Sequence, residues 1–249
     1  MNSVKRIFNI LEVLAENKGG LRLSELSKLS KVSIATTYRI CSELVSRGYL
    51  KKESRRGKYS LGIKFLEFNA VIQQSLNIVD ISLPHLERLS GLTGEYSEVA
   101  ILNNYAAVTV AQVDVAHNLK IINIVGERLP LHATSVGKIL LAYMSIEGRK
   151  VFYGKTKLKR LTEKTLTEDN QLEQEVEKIR QNGFALDDEE NVVGIWSVAA
   201  PIYDFNNLVI AGLALAAPSV RINDKNSQEF ISIVKRTSLD ISEEMSYKN

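Results

Sequence analysis

The sequence predicts an α+β protein in two parts, and three observations lead to this prediction. Helical periodicity followed by two short alternating runs occupies residues 1–62, whereas longer strand-like runs mixed with helices fill the remainder. The charge divides at the same place: residues 1–63 contain 13 Lys+Arg and 5 Asp+Glu, a net +8, and the remainder contains 19 and 24, a net −5. A basic segment on an acidic body is typical of a phosphate-binding module joined to a second domain, the alternative being an ordinary solvated surface.

The overall composition indicates a cytoplasmic protein. The 249 residues, 45% of them hydrophobic, are sufficient for one large domain or two ordinary ones. No apolar run approaches about 18 residues, so no transmembrane helix is predicted. The first residues form an amphipathic helix rather than a signal peptide, and the single cysteine, Cys41, excludes a disulfide within the chain.

Three helices and a two-stranded hairpin are predicted in the basic segment. The first helix begins at Val4 and ends at Glu16, Ser24 caps the second, and Ser33 caps the third. Two strand-like runs follow, joined by a basic tip at residues 54–57. This order of elements is that of a winged helix-turn-helix. The residues predicted to face inward from the first helix are Val4, Ile7, Ile10, Leu11 and Leu14.

The third helix, within SIATTYRICSELVSRGYL, has two different faces. Thr37, Ile40, Cys41 and Leu44 follow the i, i+3, i+4, i+7 spacing of a buried stripe, whereas the opposite face carries hydroxyls, a phenol and a guanidinium without an acid. The third helix of this fold enters the major groove, and the wing meets phosphate or the minor groove. The predicted DNA-binding residues are Ser33, Thr36, Tyr38, Arg39, Ser42, Arg55, Arg56 and Lys58. A protein-contact module is the alternative, because winged helices also serve that purpose.

Five motifs in order make the chain resemble the isocitrate lyase regulator (IclR) family of transcription factors, from about Val4 to past Arg221. They are SIATTYRICSELVSRGYL and GKYSLG, then ERLPLHATSVGKILLA, NGFALDDEENVVGIWSVAAPIYD and LALAAPSVR. The resemblance implies a DNA-binding domain over 1–62, a linker helix over 63–80 and a GAF-like effector-binding domain over 81–249. No cofactor is predicted.

The elements predicted after residue 63 alternate between helices and strands, with helices on one side of mixed strands. Pro84 is expected in the first turn of the helix that follows the linker. The predicted strands are EVAILNN, AAVTVAQVD, KIINIVG, IWSVAAPIYD and LVIAGLALAAP, and the predicted helices are 63–79, SLPHLERLSGLTG, 135–144, DNQLEQEVEKIRQNG and 224–245.

The segment HATSVGK lies at a strand-to-helix junction, where the free N–H groups of a first turn favour a carboxylate. It is not a P-loop, because the first glycine is missing and Ile139 stands where Ser or Thr is required. For His132 and Thr134 the alternative is helix capping and loop packing. The resemblance implies an effector pocket lined by Thr134, Ser135, Val136, Asp187, Ile195, Ser197, Ala214 and Ala216.

The acidic run LDDEE has two interpretations. A run of four charges is usually a solvated turn, whereas the resemblance assigns its first acid, Asp187, to the pocket, where it binds a ligand hydroxyl or, if protonated, a carboxylate. In the following strand, period-two alternation places Ile195, Ser197 and Ala199 on one face, and Trp196 on the other as a packing residue.

The chain departs from the family pattern in both parts. Ser30 replaces the usual glycine of the turn, and Ile34 and Ala35 replace small polar or basic residues, so the operator sequence does not follow from relatives. Ala214 and Ala216 stand where relatives place serines that bind a carboxylate. The loss of two donors favours a larger, partly apolar organic acid or a sugar acid over glyoxylate or pyruvate as effector.

These features predict an effector-responsive transcriptional regulator, with repression favoured over activation, that forms a homodimer and further a homotetramer. Two recognition helices related by a twofold axis favour a palindromic operator. The alternative is an enzyme that uses His132, Ser135 and the acids of residues 187–190. The enzyme alternative has weak support, because the chain has no GxSxG elbow and no dinucleotide fingerprint. Its three histidines are also not spaced as a cluster of metal ligands.

Overall fold

The computed structural model describes residues 3–53, 57–68, 77–115 and 124–245. The chain divides into two compact units, Met1–Ser75 and Leu76–Asn249. We call them the DNA-binding unit and the effector unit, after the functions that the family resemblance predicts for them.

The DNA-binding unit is a winged helix-turn-helix, as predicted. Its elements are α1 (Ser3–Glu16), β1 (Leu21–Arg22), α2 (Leu23–Ser30), α3 (Ile34–Ser46), β2 (Leu50–Lys52) and β3 (Lys58–Leu61). The three strands form an antiparallel sheet in the order β1-β3-β2. The core consists of Ile10, Leu14, Leu26, Cys41, Leu50 and Tyr59.

Three details of this unit correct the prediction. Val4 is 56% exposed rather than inward, because it precedes Ile10 by six residues and so lies about 120° from the buried stripe. β1 continues directly into α2, so the N-cap is Arg22 instead of Ser24, and the Arg22 N–H donates to Glu25 Oε2 at 2.7 Å. The left-handed residue of the turn is Lys31, with φ 54°, and not the preceding serine.

In the described residues, the effector unit is built on one sheet of six strands. Its elements are α4 (Asn77–Thr93), β4 (Tyr96–Asn103), β5 (Ala106–Val113), β6 (Arg128–Pro130), α5 (Ser135–Ala142), α6 (Ile146–Lys155), α7 (Asp169–Asn182), β7 (Ala185–Asp188), β8 (Ile195–Tyr203), β9 (Val209–Pro218), a 3₁₀ turn (Ser219–Arg221) and α8 (Asp224–Glu244). The strand order is β6-β5-β4-β9-β8-β7, and every described pair is antiparallel.

Helices cover both faces of this sheet, so the predicted arrangement of mixed strands with helices on one side is wrong. The physical reason is that β8 and β9 are buried on both faces along most of their length. The first core lies under α4 and α8 and includes Leu86, Trp196 and Val234. The second core lies under α5 and α7 and includes Ile139 and Val176.

Several boundaries differ from the prediction. α4 begins at Asn77, so Pro84 lies within the helix and not in its first turn. The strand predicted from KIINIVG falls largely on 116–123, outside the described residues, and the strand that follows is β6. The elements β7 and α6 were not predicted. The predicted middle of the linker helix also lies outside the described residues, at 69–76.

Candidate DNA-binding surface and effector site

The exposed face of α3 carries the predicted base-reading side chains. Tyr38 is 54% exposed, Arg39 and Ser42 are exposed, and Thr36 is half-buried. Ser33 occupies the N-cap position, but its hydroxyl donates to Thr36 Oγ1 at 2.9 Å instead of capping a backbone amide. The face therefore offers hydroxyl, phenol and guanidinium groups along one side of a rigid helix.

The opposite face of α3 fixes the helix in the unit. Thr37 is buried and its Oγ1 donates to the Ser33 carbonyl at 3.0 Å. Cys41 is also buried, and burial raises the pKa of its thiol to about 11. Because the thiolate is the reactive form, this cysteine serves packing.

The first helix supplies a further cation near α3, whereas Lys58, a described cation of the wing, contacts the loop after α1. Lys58 Nζ donates to the Gly19 carbonyl at 3.3 Å, while Arg55 and Arg56 lie outside the described residues. A cleft of about 360 Å³ between α1 and α3 is lined by Arg6 as well as Arg39. The sequence did not predict Arg6 as a DNA-binding residue, because its position is an ordinary charged one on an amphipathic helix.

The register of the sheet brings the predicted effector residues together. Asp187 on β7 lies opposite Ser197 on β8, and Ser197 lies opposite Ala216 on β9. Ser135, the first residue of α5, packs against this row with its Oγ 2.7 Å from Ser197 Oγ. Residues far apart in the chain thus meet at the start of one helix.

The start of α5 is fixed by its cap. Thr134 Oγ1 accepts from the Gly137 N–H at 3.1 Å and donates to the Pro130 carbonyl at 2.9 Å. His132 is buried, with Nε2 3.0 Å from the Lys159 carbonyl oxygen. These bonds are the capping and loop packing that were the alternative for both residues. The first-turn amides of Ser135 and Val136 have no acceptor within the helix. The capping bonds hold these two amides beside the row that Ser197 forms with its neighbours on β7 and β9.

The acidic run is divided between the interior and the surface. Asp187 is 2% exposed, and its Oδ1 accepts from the backbone N–H of Glu190 at 2.7 Å and of Asn191 at 3.3 Å. Glu190 Oε1 accepts from Lys138 Nζ at 2.6 Å, and Lys138 itself is buried. The two middle acids, Asp188 and Glu189, face outward, and both pair with the exposed Lys164. The solvated-turn interpretation therefore holds only for the middle of the run.

Burial raises the pKa of Asp187 from its ordinary 3.8 to about 7, although the two backbone donors and Lys138 oppose the shift. Between these pH values the folded protein holds a proton that the unfolded chain has released. Its stability therefore falls as the pH rises through this window.

The Asp187→Asn variant is expected to lose this pH dependence, since asparagine keeps an oxygen acceptor but does not titrate. Urea unfolding at several pH values from 4.5 to 7.5, followed by the fluorescence of Trp196, measures it. The wild-type free energy of unfolding will decline more steeply than that of the variant. Parallel curves would contradict the assignment of a protonated Asp187.

The described ranges, 3–53, 57–68, 77–115 and 124–245, contain neither a membrane-spanning helix nor a cluster of metal-ligating side chains. No helix there combines the length and apolar character needed to cross a membrane. No group of three or more His, Cys, Asp or Glu residues there is arranged to hold a metal ion.

Two models of known families match the chain. The bacterial transcriptional regulator IclR C-terminal model matches residues 70–243, and the IclR helix-turn-helix domain model matches residues 3–54. The chain belongs to the IclR family. It is accordingly a helix-turn-helix transcriptional regulator with an IclR effector domain.

Individual IclR-family relatives are similar over nearly the whole length. The HTH-type transcriptional regulator KdgR of Dickeya chrysanthemi is 31% identical, over 99% of this chain and 81% of the relative. The HTH-type transcriptional repressor AllR of Escherichia coli K12 is 28% identical, over 99% of this chain and 91% of the relative. The crystal structure of the Thermotoga maritima IclR superposes with a TM-score of 0.77 at 28% identity, covering 99% of this chain and 100% of that one.

Proposed function

We propose that this regulator is a repressor whose operator affinity is controlled by an organic-acid or sugar-acid effector bound at the start of α5. The observation that carries the proposal is the contact of Ser135 with Ser197 beside the buried carboxyl group of Asp187. Repression is supported by the similarity to AllR, which is named a repressor.

The chemistry of this place favours a carboxylate. The first-turn amides of Ser135 and Val136 present N–H groups at the positive end of the helix dipole. A protonated Asp187 adds a donor, and the two serine hydroxyls donate or accept. Ala214 and Ala216 contribute apolar wall without donors, which leaves room for an effector larger than a two- or three-carbon oxo-acid.

Strand β4 provides a route from this site to α4, the helix that follows the linker in sequence. Tyr96 and Glu98 lie on the face of the second core, while Ser97 between them faces α4. Ser97 Oγ lies 2.8 Å from Ser90 Oγ and donates to the Leu86 carbonyl at 3.2 Å. A shift of β4 on effector binding therefore moves α4, and operator affinity changes by linkage. We propose that the linker helix changes its angle or its mobility at residues 77–83.

In this proposal the DNA-binding surface comprises Ser33, Thr36, Tyr38, Arg39 and Ser42 of α3, with Arg55, Arg56 and Lys58 of the wing. A homodimer places two such helices on half-sites about one helical turn, roughly 34 Å, apart. Two dimers pair through their effector units into a tetramer.

Fluorescence anisotropy tests the regulator proposal. The duplex from upstream of the protein's own gene is compared with a scrambled duplex at several salt concentrations. We expect at least ~10³-fold tighter binding of the upstream duplex and a steep salt dependence. Equal, weak binding to both duplexes would instead support a protein-contact role for the winged helix.

A further inference from the structure

Glu98 is a buried carboxyl group on the same sheet face as the effector site. It lies opposite Ala214 on β9, which in turn lies opposite Ala199 on β8. Both alanines belong to the second core under α5, so the Glu98 side chain projects toward the face on which α5 begins. Glu98 is only 5% exposed.

The site therefore has polar groups on two opposite sides, with alanines between them. Asp187 and Ser197 stand on one side, and Tyr96 stands on the other, where it lies opposite Ala216. Two strand intervals separate β8 from β4, a distance of roughly 10 Å between backbones. A chain of a few carbon atoms lying over the small alanine side chains spans this gap.

The carboxyl group of Glu98 accepts hydrogen bonds from hydroxyl groups. Tyr96 Oη donates to Glu98 Oε2 at 3.0 Å, and Thr109 Oγ1 donates to the same oxygen at 2.9 Å. Tyr96 Oη also lies 3.2 Å from Gln112 Oε1. A carboxylate oriented by hydroxyl donors forms strong, charge-assisted bonds with a further hydroxyl. An apolar group in the same place would not form such a bond.

We propose that Glu98 is a specificity-determining residue of the effector site, where it accepts a hydrogen bond from an effector hydroxyl. It thereby selects hydroxylated acids over unsubstituted acids of the same length. This inference rests on the effector site proposed above. It adds the second side of that site, on β4, and the chemical class of the group bound there.

Isothermal titration calorimetry with matched pairs of acids tests the inference: glycerate against propionate, threonate against butyrate, and gluconate against hexanoate. Wild type is compared with Glu98→Gln, which keeps the shape and removes the charge. Glu95→Gln is the control, because Glu95 is equally buried but holds Arg221, with Nε 2.7 Å from its Oε1. Affinity ratios within a pair do not depend on any general loss of stability.

We expect wild type to prefer the hydroxylated member of at least one pair, and Glu98→Gln to reduce that preference at least about tenfold. Glu95→Gln should leave the preference unchanged. An unaltered preference in Glu98→Gln, a preference for the unsubstituted acids, or an equal loss in Glu95→Gln would overturn the role of Glu98 and leave the effector site standing. Binding of no acid in the series would overturn both.

Discussion

Lys138→Met is expected to lower the free energy of unfolding of the effector unit by about 3–5 kcal/mol, the usual cost of removing one partner of a buried ion pair. The Lys138 side chain is 1% exposed, and its ammonium group holds Glu190, which is 13% exposed. Methionine fills the same space but leaves the carboxylate without its cation. Urea unfolding measures the change through Trp196, the single tryptophan, which lies in the first core.

Lys164→Met is the matched control for this experiment. Lys164 also pairs with acids of the same run, at 2.9 Å from Asp188, but its side chain is 49% exposed. An exposed pair contributes about 0–1 kcal/mol, so this variant should unfold nearly as wild type does. Similar small effects of both substitutions would show that the buried pair does not hold α5 against the turn that follows β7.

Arg39→Ala is expected to abolish most of the preference for the operator without affecting folding. The guanidinium is exposed on α3, where it can bind the edge of a guanine with two hydrogen bonds, an interaction with about 1–3 kcal/mol of discrimination. In the proposed homodimer, two such helices contact a palindromic operator, so we expect the effect to be doubled. Anisotropy titrations of the upstream and scrambled duplexes should converge for the variant.

Arg47→Ala serves as control, because it removes the same kind of side chain from the C-cap, at the other end of α3. Arg47 is exposed and its Nε donates to Glu43 Oε1 at 2.6 Å. We expect at most a uniform loss of affinity for both duplexes. If Arg47→Ala abolished the preference and Arg39→Ala did not, the recognition face would be wrongly assigned.

The DNA-binding unit was largely predictable, because its signals are local. The 3.6-residue spacing of Thr37 and Cys41 placed the buried face of α3 and so its exposed face. The errors at Val4 and Ser24 are also local. Only the fold shows that β1 continues directly into α2, so that Arg22 occupies the N-cap position.

The effector site was predictable only in part. Alternation placed Ser197 and Trp196 on opposite faces of β8, and the structure confirms this, since Trp196 packs in the first core while Ser197 contacts Ser135. Pairing of β4 with β9 is non-local, so nothing in the sequence near Glu98 indicates that it lies beside Ala214. Lys138 likewise looks like a surface lysine until α7 and β7 close around it.

The measurement that tests the account most directly is the operator affinity with and without a saturating acid. Anisotropy titrations with the upstream duplex would use the tightest-binding acid from the matched series, for wild type and for Ser197→Ala. For wild type we predict that the acid changes the operator affinity by roughly five- to 150-fold, the usual range of allosteric coupling. In Ser197→Ala, at least about tenfold more acid should be needed for half of that change. An acid that saturates the wild-type effector unit and leaves its operator affinity unchanged would contradict the account.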